Sequence, residues 1–167
     1  QTILDRNIDY AEAIPKIIEG RVFDNGILCT ADQSVMCPKE KYDEIMELFS
    51  ANKALVVKDA DMIEKFRKAL FDENGILSRH VVGQSAQKIG VLAGVNVPDD
   101  IRIIVLEASG FGMKDVLAKE KMCPCISAYK YDKFEDAVEI ARANLEREGK
   151  GHSVSIHSND TQHIEYV

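Results

Sequence analysis

The octapeptide IRIIVLEA, residues 101–108, is the clearest strand signal in the chain, and the segments flanking it decide the fold. Upstream, SAQKIGVLAG (85–94) reads as a helix stopped by Gly94, HVVG (80–83) as a short strand, residues 60–71 as a helix and ALVV (54–57) as a strand. Before these, QSVMC (33–37) reads as a strand, and Pro38 opens a helix to about Ser50 from the first-turn position that proline tolerates. At the front, residues 7–22 space Ile8, Ala11, Ile14, Ile17 and Ile18 as a helix does, with Pro15 inside it, and Gly26 offers a stop. Downstream, CISAYKY (125–131) is a strand and residues 133–147 an amphipathic helix facing Phe134, Ala137, Val138 and Ala141 inward. HSVSIHS (152–158) closes the series as a strand. Helix and strand alternate throughout, which implies right-handed crossovers and an α/β fold: a largely parallel sheet covered by helices.

The bulk properties fit one domain over residues 1–167, with 46% hydrophobic side chains for its core. A net charge of -7 and a pI near 5.1, with no Lys/Arg cluster to track phosphates, argue against nucleic acid as a partner. No apolar run reaches the roughly 20 residues of a membrane span. Four cysteines in a chain this long, without the dense spacing of a small stapled scaffold, read as reduced thiols, so a soluble, cytoplasmic protein is expected. The chain starts at Gln1 and ends at Val167 soon after a helix-start signal (Ser158, Asn159, Asp160), and we expect it to be a piece of a longer protein.

Chemistry concentrates around FDNGILCTADQSV (23–35), where Cys29 sits in a break after Asp24, Asn25 and Gly26 rather than on an apolar face. No G-x-G-x-x-G appears, and GFG at 110–112 lacks the third glycine, so most of any dinucleotide site would lie outside this chain. Cys123 and Cys125 with Cys37 and His157 match no standard zinc spacing. Packing on one sheet face explains Cys123 and Cys125 better, and no metal is expected. His80 and His163 read as surface or satisfied side chains.

In this order, F-D-N-G, a cysteine and Q-S-V resemble the nucleophile segment of CoA-acylating aldehyde dehydrogenases, notably the aldehyde dehydrogenase half of bifunctional aldehyde-alcohol dehydrogenases. VVGQSAQKIGVLAGVNVP (81–98) and KEKMCPCISAYKYDKFEDAVEIARANLEREGKGHS (119–153) extend the resemblance over nearly the whole chain. It implies the catalytic domain alone, with the NAD-binding domain and oligomerisation arm absent. It also implies an enzyme that converts a short aldehyde, NAD and coenzyme A to acyl-CoA and NADH. Cys29 is then the nucleophile, since a thiolate adds to a carbonyl and leaves a thioester reactive enough to pass on its acyl group. Its position beyond a helix C-terminus faces the negative end of the dipole, so the thiolate needs help from elsewhere. Glu120 is implied to accept hydrogen bonds from the nicotinamide ribose, although alone it reads as a solvated charge between Lys119 and Lys121. His152 is implied to move a proton during thioester formation or to orient the acyl acceptor; its plainer reading is a satisfied strand-start histidine.

The resemblance further implies the NAD-binding domain of the same enzyme as a partner, homo-oligomers, and a cytoplasmic location that extends to bacterial microcompartments. Thr30-Ala31-Asp32 replaces the commoner small-Ser-Glu run, and Cys123 replaces a serine. Both departures leave the aldehyde open, with acetaldehyde, propionaldehyde and succinate semialdehyde among the candidates. Competing readings are a hydrolytic relative that releases a carboxylic acid, an NAD-independent cysteine acyltransferase, and a non-catalytic interaction domain on the same fold.

Overall fold

The computed structural model describes all 167 residues. Its strands are β1 (Thr2–Leu4), β2 (Ser34–Pro38), β3 (Ala54–Val57), β4 (Ile103–Glu107), β5 (Cys125–Tyr131) and β6 (Ser155–His157). They form one six-stranded sheet in the order β3-β4-β5-β2-β1-β6, with every pairing parallel. The helices are α1 (Tyr10–Val22), α2 (Tyr42–Ala51), α3 (Ala60–Leu70), α4 (Ala86–Ala93), α5 (Phe134–Arg147) and α6 (Thr161–Tyr166). None is long and apolar enough to cross a membrane.

Strand alternation divides the core. Val35 and Cys37 of β2, Ile103 and Val105 of β4, and Ile126 and Ala128 of β5 pack with α1 and α2 on one face. Their neighbours Ile104, Leu106 and Cys125 pack with α3 and α4 on the other face, while Met36, Tyr129 and Tyr131 pack there with α5. All four inward residues expected for α5 are buried.

Two expectations change, and one strand was not expected. Residues 80–83 form turns, because Gly83 adopts a left-handed φ of 66° that ends any extended run, although Val81 is buried. Pro38 closes β2 instead of opening a helix; a 3-10 turn, Lys39–Lys41, precedes α2. At the strand's last position its missing N–H costs no ladder bond that the sheet needs. The segment before residue 7 contributes β1, which is short but internal, paired with β2 on one side and β6 on the other. α1 itself starts at Tyr10, capped by Asp9 through bonds from Ala11 N (2.9 Å) and Glu12 N (3.2 Å). Pro15 stays inside it; the carbonyl it deprives of a donor belongs to exposed Ala11.

Candidate active site

Beyond α1 the chain makes a left-handed run, with φ of 48° at Asp24, 51° at Asn25 and 70° at Gly26. Asp and Asn tolerate this region better than most residues and glycine adopts it freely, so the composition of this stretch permits the reversal. Gly26 is also pressed against the backbone of Cys123, where a Cβ would lie 2.7 Å from the carbonyl carbon and oxygen. The chain then turns from Leu28 to Ala31, closed by Ala31 N donating to Leu28 O at 3.1 Å, and carries Cys29 exposed at its middle. The Cys29 N–H takes no partner within the chain.

Glu120 lies in the segment before β5, and His152 in the segment before β6. Because the sheet is parallel, the segments leading into β2, β5 and β6 all lie at its amino edge, and they bring Cys29, Glu120 and His152 around one cavity of about 160 Å³. Open α/β sheets usually place ligands at the carboxyl ends of strands; this cavity is at the opposite edge. Thr30, Ala31, Gln33 and Glu148 also line it. Cys29 and His152 are exposed, whereas Glu120 is half-buried and its Oε1 is shielded from water without a hydrogen-bond partner.

Two buried cations brace the segments next to the cavity. Lys121 is fully buried; its Nζ donates to Gln33 O (3.2 Å) and Lys119 O (3.0 Å), and its backbone N donates to Gln33 Oε1 (3.0 Å). These bonds join the start of β2 to the segment carrying Glu120. Burial pushes the Lys121 ammonium down to about 8. Arg21, in the last turn of α1, is equally buried and donates from Nη2 to Cys123 O (2.6 Å) and from Nε to Cys125 O (3.1 Å). Burial opposes its charge too, but a guanidinium stays protonated in proteins.

The other thiols are packing residues. Cys123 and Cys125 belong to the α3/α4 face and Cys37 to the opposite face, so the sheet separates them. Burial raises all three thiols, Cys125 to about 11. His163 is satisfied: its Nδ1 lies 2.6 Å from Asp5 Oδ2 and its ring stacks on Phe134 at 3.8 Å. The sequence reading missed Gln33, Lys121, Arg21 and Glu148. Only Gln33 carried a signal, as part of Q-S-V.

No family model matches the chain. Succinate-semialdehyde dehydrogenase (acetylating) of Clostridium kluyveri is 49% identical over 167 residues, 100% of this chain and 37% of that protein. An aldehyde-alcohol dehydrogenase of Clostridium acetobutylicum is 31% identical over 158 residues, 95% of this chain and 18% of its own length. The solved acetylating aldehyde dehydrogenase of Geobacillus thermoglucosidasius superposes with a TM-score of 0.93 at 27% identity, covering 99% of this chain and 36% of that one. Together, the six-stranded parallel sheet, the thiol turn at its amino edge and these similarities define an aldehyde dehydrogenase catalytic fold. In sequence and in fold the chain is similar to CoA-acylating aldehyde dehydrogenases over its whole length, and it spans little more than a third of the C. kluyveri relative's length.

Proposed function

We propose that the protein carrying this chain is a CoA-acylating aldehyde dehydrogenase with Cys29 as its nucleophile. The observation that supports this best is the convergence of Cys29, Glu120 and His152 from three separate loops on one cavity. The Cys29 thiolate attacks the aldehyde carbon: the C–S bond forms, and the π pair moves onto oxygen. The unpartnered Cys29 N–H is a ready donor to that oxyanion. When bound, NAD supplies the acceptor for the hydride whose loss turns the thiohemiacetal into a thioester. Glu120 suits the ribose of such a cofactor, since its buried Oε1 lacks the donor that a ribose hydroxyl offers. Exposed His152 takes the proton from an incoming thiol, coenzyme A in this reading, whose sulfur then displaces Cys29 from the acyl carbon.

The test uses the protein at its full natural length. NADH formation from acetaldehyde or succinate semialdehyde is measured with and without coenzyme A, and with Cys29→Ser. Strict dependence on coenzyme A and on Cys29 is expected. Equal rates without coenzyme A would move the assignment to a hydrolytic dehydrogenase, and full activity of Cys29→Ser would remove Cys29 from the reaction.

A further inference from the structure

Three shielded polar atoms around the cavity have no hydrogen-bond partner: Gln33 Nε2, Glu120 Oε1 and Glu148 Oε1. Gln33 is 7% exposed, and its orientation is fixed from two sides. Its Oε1 accepts from Lys121 N at 3.0 Å, so the amide cannot flip without setting its own N–H group against that donor. Its backbone carbonyl is held by Lys121 Nζ at 3.2 Å. Lys121 is the immediate neighbour of Glu120, so one short network ties an orphan donor to an orphan acceptor.

A shielded donor and a shielded acceptor without partners, on two residues that line one cavity, are costly, and a group that both donates and accepts relieves both at once. A hydroxyl does this, and an aldehyde oxygen, which only accepts, does not. We infer that Gln33 is a second cofactor-binding residue, paired with Glu120 on a hydroxyl-bearing ligand, the ribose of a nicotinamide dinucleotide. Gln33 Nε2 donates to a hydroxyl oxygen, and that ribose donates to Glu120 Oε1. This rests on the dehydrogenase reading and adds to it a residue 87 positions from Glu120 in the sequence.

The test is a double-mutant cycle on the full natural protein, read by calorimetric titration with NAD in the absence of aldehyde. Gln33→Met and Glu120→Gln are each expected to weaken binding by about tenfold. The double variant should lose clearly less than the product of the two losses, because each removes part of the same contact. Gln33→Glu, a second variant of the same shape, keeps an acceptor for Lys121 N, turns the free nitrogen into an acceptor and adds a negative charge next to the Lys121 ammonium. It should weaken NAD binding at least as much as Gln33→Met does. Iodoacetamide labelling of Cys29 should stay within about twofold in every variant. Unchanged NAD affinity in both Gln33 variants, strictly multiplicative losses, or slowed Cys29 labelling would each overturn the pairing while leaving the dehydrogenase reading in place. Failure of the unsubstituted protein to bind NAD would overturn that reading, and this inference with it.

Discussion

Cys29 is the one exposed thiol, and burial raises the other three, so their chemistry should separate cleanly. Limited alkylation of the native protein followed by peptide mapping is expected to find Cys29 labelled first; early labelling of Cys37, Cys123 or Cys125 would contradict its role. Lys121 offers a second test, through pH. Its ordinary value of 10.5 falls to about 8 on folding, so between these pH values the unfolded chain binds a proton that the folded chain has released. Stability from this group therefore rises as pH climbs from about 8 towards 10.5, and below about 8 the full cost of burying the ammonium, about 3 kcal/mol, is present. The comparison is with Lys121→Met, so that every other titrating group cancels. Urea melts should show the unsubstituted protein gaining about 2 kcal/mol on the variant between pH 7 and pH 10. A difference that ignores pH would mean that Lys121 is not the buried cation described above.

The turn before Cys29 concentrates its constraint at one position. At Gly26 the backbone is left-handed, and an added Cβ would meet the Cys123 backbone at 2.7 Å and Arg21 O at 2.9 Å, atoms that cannot move aside as a side-chain tip would. Gly26→Ala should cost at least about 2 kcal/mol in urea unfolding and change the alkylation rate of Cys29. Asn25→Gly, which removes left-handed strain at the price of a looser unfolded chain, should stay within about 1 kcal/mol. Equal effects at the two positions would refute the packing argument.

The same elements show what the sequence reveals. Long periodic segments such as α5 and β5 were legible because burial on one face writes itself into spacing. HVVG was not, since two valines look alike in a strand and in a buried turn, and three-residue β1 is too short to carry a period. Among the candidate site residues, Cys29 stood out by its place in a break and gained a role from the resemblance, whereas Glu120 and His152 became visible through the resemblance alone. Gln33 and Lys121 escaped because their partnership spans 88 positions, and a buried polar residue is recognised only by what it meets.

Parallel topology makes the amino edge an assembly of loops, and the cavity there has walls from this chain on only some sides: Cys29 and His152 are exposed, as are Phe23, Ile27 and Leu28 beside the thiol turn. The aligned relatives are much longer, this chain matching 37% of one and 18% of another. Residues 1–167 on their own should therefore separate the two reactions that the proposed function couples. Folding is expected, because three apolar clusters fill both faces of a six-stranded sheet, although the exposed apolar side chains favour self-association at high concentration. Acyl transfer to Cys29 from an activated ester needs only an accessible sulfur and an oxyanion donor, both carried by the turn, and should be detectable by mass as an acyl adduct that Cys29→Ser lacks. NADH formation from acetaldehyde, NAD and coenzyme A should be absent. Hydride transfer requires the nicotinamide to be fixed against the thiohemiacetal carbon, and displacement by even about 1 Å costs on the order of 100-fold. In the pairing proposed above, Glu120 and Gln33 would hold one sugar and leave the ring free to swing. Vigorous NADH production by these residues alone would show that they hold the whole dinucleotide, and the division of labour drawn here would be wrong.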